Sequence, residues 1–127
     1  MALKFKPEVQ SARILSVGAY RPPRVVPNSE IIERIDSTDE WIQQRTGIVS
    51  RHIAAADESL IDMAEKSALI AIKRAGLTAQ DIDAVIFATI SYPYQAPSAA
   101  TELLVRLGNV KAAAFDLSAA CAGFCYG

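Results

Sequence analysis

Short apolar runs alternate with longer amphipathic stretches along this chain, a pattern typical of strands and helices that follow one another. Three apolar runs predict strands, at residues 13–20, 83–90 and 112–117, and a short strand is predicted around residues 48–53. The runs at residues 83–90 and 112–117 are apolar enough to be buried strands. Strand, helix and strand in this order predict right-handed parallel crossovers in one α/β unit.

Polar residues mark where the helices begin, and glycines mark where they end. The longest helix is predicted from a Ser59 cap to Ala75, with Gly76 as its terminator. Its alanines recur at helical spacing, so it can pack closely on a neighbouring backbone: Ala64, Ala68, Ala71 and Ala75. Shorter helical segments are predicted at residues 28–35 behind an Asn28–Ser29 cap, at residues 41–45 ending at Gly47, from Thr78 to Asp81, and from Pro97 to Gly108.

Length and composition exclude several classes of protein. The chain has 127 residues, 51% of them hydrophobic, which fits one folded domain and excludes general disorder. Thirteen basic and fourteen acidic side chains give a net charge of -1, so no nucleic-acid partner is expected. The sequence contains neither an apolar run that could span a membrane nor a signal peptide, so no membrane partner and a cytoplasmic location are expected.

The two cysteines lie near the end of the sequence, at Cys121 and Cys125. With a single histidine, His52, no metal site is expected. A disulfide between residues four apart on a helix would be strained, so a redox switch is disfavoured. Cys121 follows a strand and small residues at the predicted start of a helix, where free N–H groups lower a thiol pKa and stabilise an oxyanion. A buried structural cysteine is the alternative for Cys121, and it is the preferred interpretation of Cys125.

Three segments make the sequence recognisable. Residues 114–124 closely resemble the active-site segment of the β-ketoacyl-(acyl-carrier-protein) synthase III family. Residues 36–48, followed by residues 51–54, look like the N-terminal signature of that family, and residues 96–100 resemble its pocket segment. The resemblance extends from about residue 11 onward, and three motifs in the right order are more specific than any one of them.

The resemblance implies a thiolase fold, in which two similar α/β halves pack together and the enzyme is a homodimer. Residues 1–10 would then be an N-terminal tail, and residues 11–127 most of the first half, ending just after the nucleophile. We therefore expect the natural polypeptide to continue. Cys121 would take an acyl group from acyl-CoA and condense it with malonyl-(acyl carrier protein), with acyl-CoA as substrate and no cofactor.

The resemblance also assigns binding residues. Trp41 would stack on the adenine of CoA, Arg45 would meet its phosphates, and Ser37 stands where relatives often carry a threonine that contacts the nucleotide. Without the resemblance, Trp41 would be interpreted as a core residue. Ala96 matches a bulky phenylalanine of acetyl-selective members that reaches into the partner's acyl pocket, so longer or branched acyl groups are expected unless a tyrosine of residues 91–96 fills the space.

The family supplies a histidine and an asparagine for decarboxylation from its second half, and His52 is no substitute for them. The chain alone is therefore predicted not to condense. Other hypotheses remain open: a related thiolase-fold acyltransferase, a ketosynthase that starts polyketide synthesis, or a non-catalytic fragment. The fragment hypothesis predicts exposed apolar surface where the second half would pack.

Overall fold

The computed structural model describes residues 12–127, so the predicted tail at residues 1–10 lies outside the described part of the chain. Four strands are present: β1 (Arg24–Pro27), β2 (Ser50–Ile53), β3 (Ala84–Ala88) and β4 (Ala113–Leu117). Five α-helices accompany them: α1 (Asn28–Ile32), α2 (Asp39–Thr46), α3 (Leu60–Ala75), α4 (Ala99–Arg106) and α5 (Gly123–Tyr126). Short 3-10 turns cover Ala79–Asp81 and Ala120–Ala122.

The strands form two separate pairs. β1 and β2 are antiparallel, with Arg24 opposite Ile53 and Pro27 opposite Ser50. β3 and β4 are parallel, with Ala84 opposite Ala113, and α4 connects them and packs on both. The predicted strand–helix–strand crossover is therefore confirmed for this pair. The crossover predicted from β2 through α3 to β3 is wrong, because among the described strands β2 pairs only with β1.

Local capping follows the sequence closely in α2 and α3. The Ser59 hydroxyl accepts a hydrogen bond from the Asp62 N–H, while the Asp62 carboxylate accepts one from the Ser59 N–H. Gly76 ends α3 at φ 70°, and Gly47 ends α2 at the same φ. Both glycines occupy the left-handed region, which a residue with a side chain rarely adopts.

Two helix starts differ from the prediction. The side chain of Asn28 does not cap α1, because it is buried and bonded to later parts of the chain. The helix predicted to begin at Pro97 begins at Ala99 instead, where the Ser98 hydroxyl accepts a hydrogen bond from the Thr101 N–H. A side-chain acceptor determined this start more strongly than a proline suited to the first turn.

The strand predicted at residues 13–20 is wrong. These residues form no strand in the described structure and lie instead along α3, where the Ser16 hydroxyl donates to the Ala71 carbonyl over 2.6 Å. Gly18 packs so tightly that a Cβ there would overlap the backbone carbonyl oxygen of Ser67. The close approach predicted for the small-residue face of α3 is thus confirmed, and it is made to an extended segment.

The core lies between α4 and one face of the β3–β4 pair. Ala99, Ala100, Leu103 and Leu104 are buried on α4. The opposite sheet face is not covered within residues 12–127, since Ile86 is 43% and Phe115 48% exposed. The prediction that β3 and β4 are fully buried strands is therefore wrong for one face. No helix of the described chain is both long and apolar enough to cross a membrane.

Candidate active site

Cys121 lies on a tight turn directly after the parallel strand pair. β4 ends at Leu117, the 3-10 turn covers Ala120–Ala122, and α5 begins at Gly123. Cys121 is exposed and free, so the alternative of a buried structural cysteine is wrong. The predicted helix start at Cys121 is also shifted, because the thiol lies in the turn that precedes the α-helix.

The backbone of this turn is strained and firmly held. Ala120 adopts φ 45°, a left-handed conformation that costs a residue with a side chain roughly 1–3 kcal/mol. The Leu117 carbonyl accepts a hydrogen bond from the Thr89 N–H over 3.2 Å. Gly123 is buried, and a Cβ there would meet the Ala88 Cβ at 3.3 Å. The turn is therefore fixed to the carboxyl end of β3, the end of a parallel sheet where ligands usually bind.

Cys125 differs from its predicted structural role, because it is exposed as well. It belongs to α5, and its side chain is not covered by other described residues. The chain therefore offers two accessible thiols, and any test of reactivity must separate them.

A second site, the Trp41 cleft, has a volume of about 440 Å³ and lies at the start of α2. It is lined by Ile35, Asp36, Ser37, Thr38, Trp41, Ile42, Thr46 and Arg51. Trp41 is 55% exposed, so its interpretation as a core residue is wrong, and Ile42 takes the core position at 4%. An exposed indole beside an apolar cleft is suited to stacking on a flat ring.

Arg45 and Ser37 occupy different places around Trp41. The Arg45 guanidinium carbon lies 5.8 Å from the centre of the Trp41 ring, as the four-residue spacing on α2 predicts, but Arg45 does not line the cleft. Ser37 does line it, and its buried hydroxyl oxygen has no hydrogen-bond partner in the described structure. Each of the three assignments to nucleotide binding remains a prediction.

Asn28 and Arg51 are residues of this site that sequence reasoning missed. The Asn28 amide nitrogen donates to the Asp39 carboxylate and to the Ile48 carbonyl, each over 2.7 Å. Its amide oxygen accepts from the Arg51 guanidinium over 2.8 Å. Hydrogen bonds from Gln43 and from Asn28 hold the pKa of Asp39 below its usual value. No local motif announces these contacts, because they join positions far apart in the chain.

Ala96 lies on an exposed bend beside a cavity of about 530 Å³ but does not line it. Tyr92 and Tyr94 do line that cavity, in edge-to-face contact with ring centres 5.6 Å apart. The Tyr92 hydroxyl donates to the Glu102 carboxylate over 2.7 Å, which raises the pKa of Tyr92 to about 12. The assignment of Ala96 to an acyl pocket remains a prediction.

Asp116 fixes the start of α4 from the neighbouring strand β4. Its two carboxylate oxygens accept hydrogen bonds from the Ala99 N–H over 2.8 Å and from the Ala100 N–H over 2.9 Å. Both N–H groups belong to the first turn of the helix, where they have no partner within the helix itself. Asp116 therefore joins α4 to the strand that leads to Cys121.

His52 contacts the backbone of a neighbouring segment. Its Nδ1 atom lies 2.6 Å from the Pro22 carbonyl oxygen, and its side chain is exposed on β2. This contact joins β2 to the segment before β1, and the absence of a catalytic role for His52 remains a prediction.

Curated proteins of known sequence resemble this chain over most of its length. No protein-family model matches the sequence. The β-ketoacyl-(acyl-carrier-protein) synthase III of Kocuria rhizophila is 51% identical over 115 residues, which are 91% of this chain and 32% of that protein. The chain thus spans about a third of the length of the curated relatives it matches.

Solved structures agree with the sequence relatives. A priming β-ketosynthase of a polyketide biosynthetic pathway matches with a TM-score of 0.86 and 45% identity, over 90% of this chain and 34% of that one. The 3-oxoacyl-(acyl-carrier-protein) synthase III of Aquifex aeolicus matches with a TM-score of 0.84 and 38% identity, over 89% and 36%. The expected α/β architecture of the thiolase type is confirmed by these similarities.

Proposed function

We propose that this chain is the acyl-accepting part of a condensing enzyme of the β-ketoacyl-(acyl-carrier-protein) synthase III family, because it is 51% identical to an enzyme of that name over 32% of that protein's length and similar in structure to another. Cys121 is the nucleophile. The substrates are an acyl-CoA and malonyl-(acyl carrier protein), and the active form is a homodimer.

The first half-reaction is thiol exchange. The Cys121 sulfur attacks the thioester carbonyl of acyl-CoA, a new carbon–sulfur bond forms, and the bond to the CoA sulfur breaks. The proton of the Cys121 thiol ends on the released CoA thiol. The acyl carbon stays activated because one thioester replaces another. Trp41 stacks on the adenine, and Arg45 and Ser37 contact the polar part of the nucleotide.

The second half-reaction forms a carbon–carbon bond. Malonyl-(acyl carrier protein) loses CO2, and the carbanion that results attacks the acyl group on Cys121. The bond between the acyl carbon and the Cys121 sulfur breaks, and the β-ketoacyl product leaves on the carrier protein. The Cys121 thiolate then takes up a proton from water and becomes a thiol again. Neutral hydrogen-bond donors are needed around the developing enolate, and we assign that task to a histidine and an asparagine outside residues 12–127.

The observation that carries the proposal is the exposed Cys121 on a strained turn after a parallel strand pair. Strain of this kind concentrates at functional sites, and a sharp turn after a strand lifts a nucleophile out of the sheet, as in the nucleophile elbow of hydrolases. The relatives named above support the chemistry assigned to this thiol.

Intact-mass spectrometry of the full-length protein, incubated with an acyl-CoA, tests this proposal. We expect one adduct with the mass of the acyl group, lost in Cys121→Ser and kept in Cys125→Ser. Cys125 is the matched control because it is exposed and only four residues away. An adduct that persists in Cys121→Ser, or the lack of any adduct on the parent protein, would overturn the assignment.

A priming ketosynthase of polyketide synthesis is the second candidate, favoured by the structural match to such an enzyme. It would use the same thiol and the same exchange, but deliver its product to another carrier protein. Condensation assays with malonyl groups on fatty-acid and polyketide carrier proteins separate the two, since the faster acceptor identifies the pathway.

A further inference from the structure

Arg51 lines the Trp41 cleft without an ionic partner in the described structure. It lies on β2, half-buried, and one of its terminal nitrogens donates to the Asn28 amide oxygen over 2.8 Å. Among residues 12–127 no carboxylate lies within ion-pair distance of its guanidinium, although Asp36 also lines the cleft. An arginine side chain carries five N–H donors, so most of its donors remain free for a ligand.

Arg106 shows the contrasting arrangement in the same chain. Its guanidinium lies beside three carboxylates, those of Asp62, Glu65 and Glu102, which more than compensate its charge. Asn28, by comparison, is neutral, so it orients the Arg51 guanidinium without reducing its charge. Such a group suits an anion that is not part of the protein.

Asn28 has the geometry to hold Arg51 in one orientation. It is 1% exposed, and both donors of its amide are used, on the Asp39 carboxylate and the Ile48 carbonyl. With the nitrogen side fixed, the amide oxygen is directed at Arg51. The first turn of α2, the segment after Gly47 and β2 are thereby joined through one buried side chain.

We propose that Arg51 binds a phosphate group of the nucleotide portion of acyl-CoA, and that Asn28 is the positioning residue that orients it. This inference rests on the proposed function, in which the Trp41 cleft takes CoA. A guanidinium with a fixed plane donates hydrogen bonds to two phosphate oxygens at once, so the orientation adds specificity as well as charge.

Calorimetric titration of the full-length protein with CoA tests the role of Arg51, because the heat of binding gives the dissociation constant without an optical label. Arg51→Met is expected to weaken CoA binding about tenfold, the effect of losing one charge-assisted contact. Arg74→Met is the matched control, because Arg74 does not line the cleft and donates to the Val17 carbonyl.

Dephospho-CoA identifies which phosphate is bound. A loss in Arg51→Met with CoA but not with dephospho-CoA assigns Arg51 to the ribose phosphate, and an equal loss with both assigns it to the pyrophosphate. Binding by Arg51→Met as tight as that of the parent overturns the inference while leaving the proposed function intact. A parent protein that does not bind CoA at all contradicts the proposed function itself.

Asn109, which is also 1% exposed, is the matched control for the positioning role of Asn28. The Asn109 amide donates to two carbonyls and accepts from two backbone N–H groups, at a site outside the cleft lining. Both Asn28→Ala and Asn109→Ala should lower the melting temperature, but only Asn28→Ala should weaken CoA binding, with no further loss when combined with Arg51→Met. Equal CoA affinity in the two variants would refute the role. If Asn28→Ala does not fold, Asn28→Ser, which keeps an acceptor oxygen, replaces it in the comparison of CoA affinity.

Discussion

The two strand pairs of this chain are built in opposite ways. The β1–β2 region encloses a polar centre, where the Asn28 amide is buried and bonded on both its nitrogen and its oxygen. The β3–β4 region has an apolar centre under α4, and its other face leaves Ile86 and Phe115 exposed within residues 12–127.

Under the proposed function, this difference separates the site that would bind the nucleotide from the site that would take the acyl group. The Trp41 cleft is formed by residues 35–51, so the local sequence builds it almost completely. The Cys121 turn projects from a sheet whose second face is open in the described chain, and Phe124 beside it is 95% exposed. Exposed apolar surface at this end is the feature that the hypothesis of a fragment in need of a second half predicts. We infer that nucleotide binding depends on local contacts and acyl transfer on longer-range ones.

The largest expected effect on stability comes from removing the Asp116 carboxylate, which joins α4 to β4. Asp116→Ala leaves the Ala99 and Ala100 N–H groups without their carboxylate partner, and it should lower the free energy of unfolding by about 2 kcal/mol. Urea denaturation measures the change. Asp116→Asn, which keeps one acceptor oxygen, should lose about half as much, and a loss below about 0.5 kcal/mol in the alanine variant would show that this region does not depend on its cap.

The substitution Ala96→Phe tests whether the β3–β4 region holds the acyl group. If the small side chain leaves room for long acyl groups, a ring there should reduce transfer from a long acyl-CoA about tenfold, with little effect on acetyl-CoA. Rates of Cys121 acylation with the two thioesters measure the selectivity, and Ala96→Ser is the matched small control. Unchanged transfer of the long acyl group would contradict the pocket assignment.

In the β1–β2 region, Asp39 should contribute a pH-dependent part of stability. Its pKa is lowered in the folded protein from the usual 3.8, first by Gln43 and then by Asn28. The contribution is therefore present above the unfolded pKa and is lost as pH falls through the folded one. Melting temperatures between about pH 7 and about pH 3 should fall more steeply for the parent than for Asp39→Asn. Parallel curves would contradict this.

The smallest effect is spectroscopic and belongs to Tyr92. Its pKa is raised to about 12, mainly by the hydrogen bond to Glu102, so the neutral phenol is favoured in the folded state. The associated stability is present below the ordinary pKa of 10.0 and is lost as pH rises through about 12. An ultraviolet titration should show one tyrosine ionising late, and this step should vanish in Tyr92→Phe. Glu102→Gln should move it to lower pH.

The sequence predicts the local features of this molecule well. Ser59, Gly47 and Gly76 were assigned correctly, because a cap needs only a few neighbouring residues. Local sequence could not show that residues 13–20 form no strand, because a strand requires a partner strand. These residues pack on α3 instead.

The residues of the candidate site also fall into those that local spacing predicts and those that it does not. The pairing of Trp41 with Arg45 follows from spacing on one helix, and the exposure of Cys121 fits a strand-to-helix turn. Asn28 and Arg51 were missed because their contacts join positions 23 residues apart in the chain. The exposure of Cys125 could not be predicted, because a position on a helix does not show which other elements cover the side chain.

The dependence of Cys121 acylation on acyl-CoA concentration, compared between the parent protein and Trp41→Ala, tests most directly whether the cleft and the thiol serve one substrate. We predict that the half-saturating concentration rises about tenfold while the maximal rate and the melting temperature stay unchanged, because Trp41 is exposed and contributes binding alone. A half-saturating concentration equal to that of the parent, or simple loss of the fold, would contradict the account.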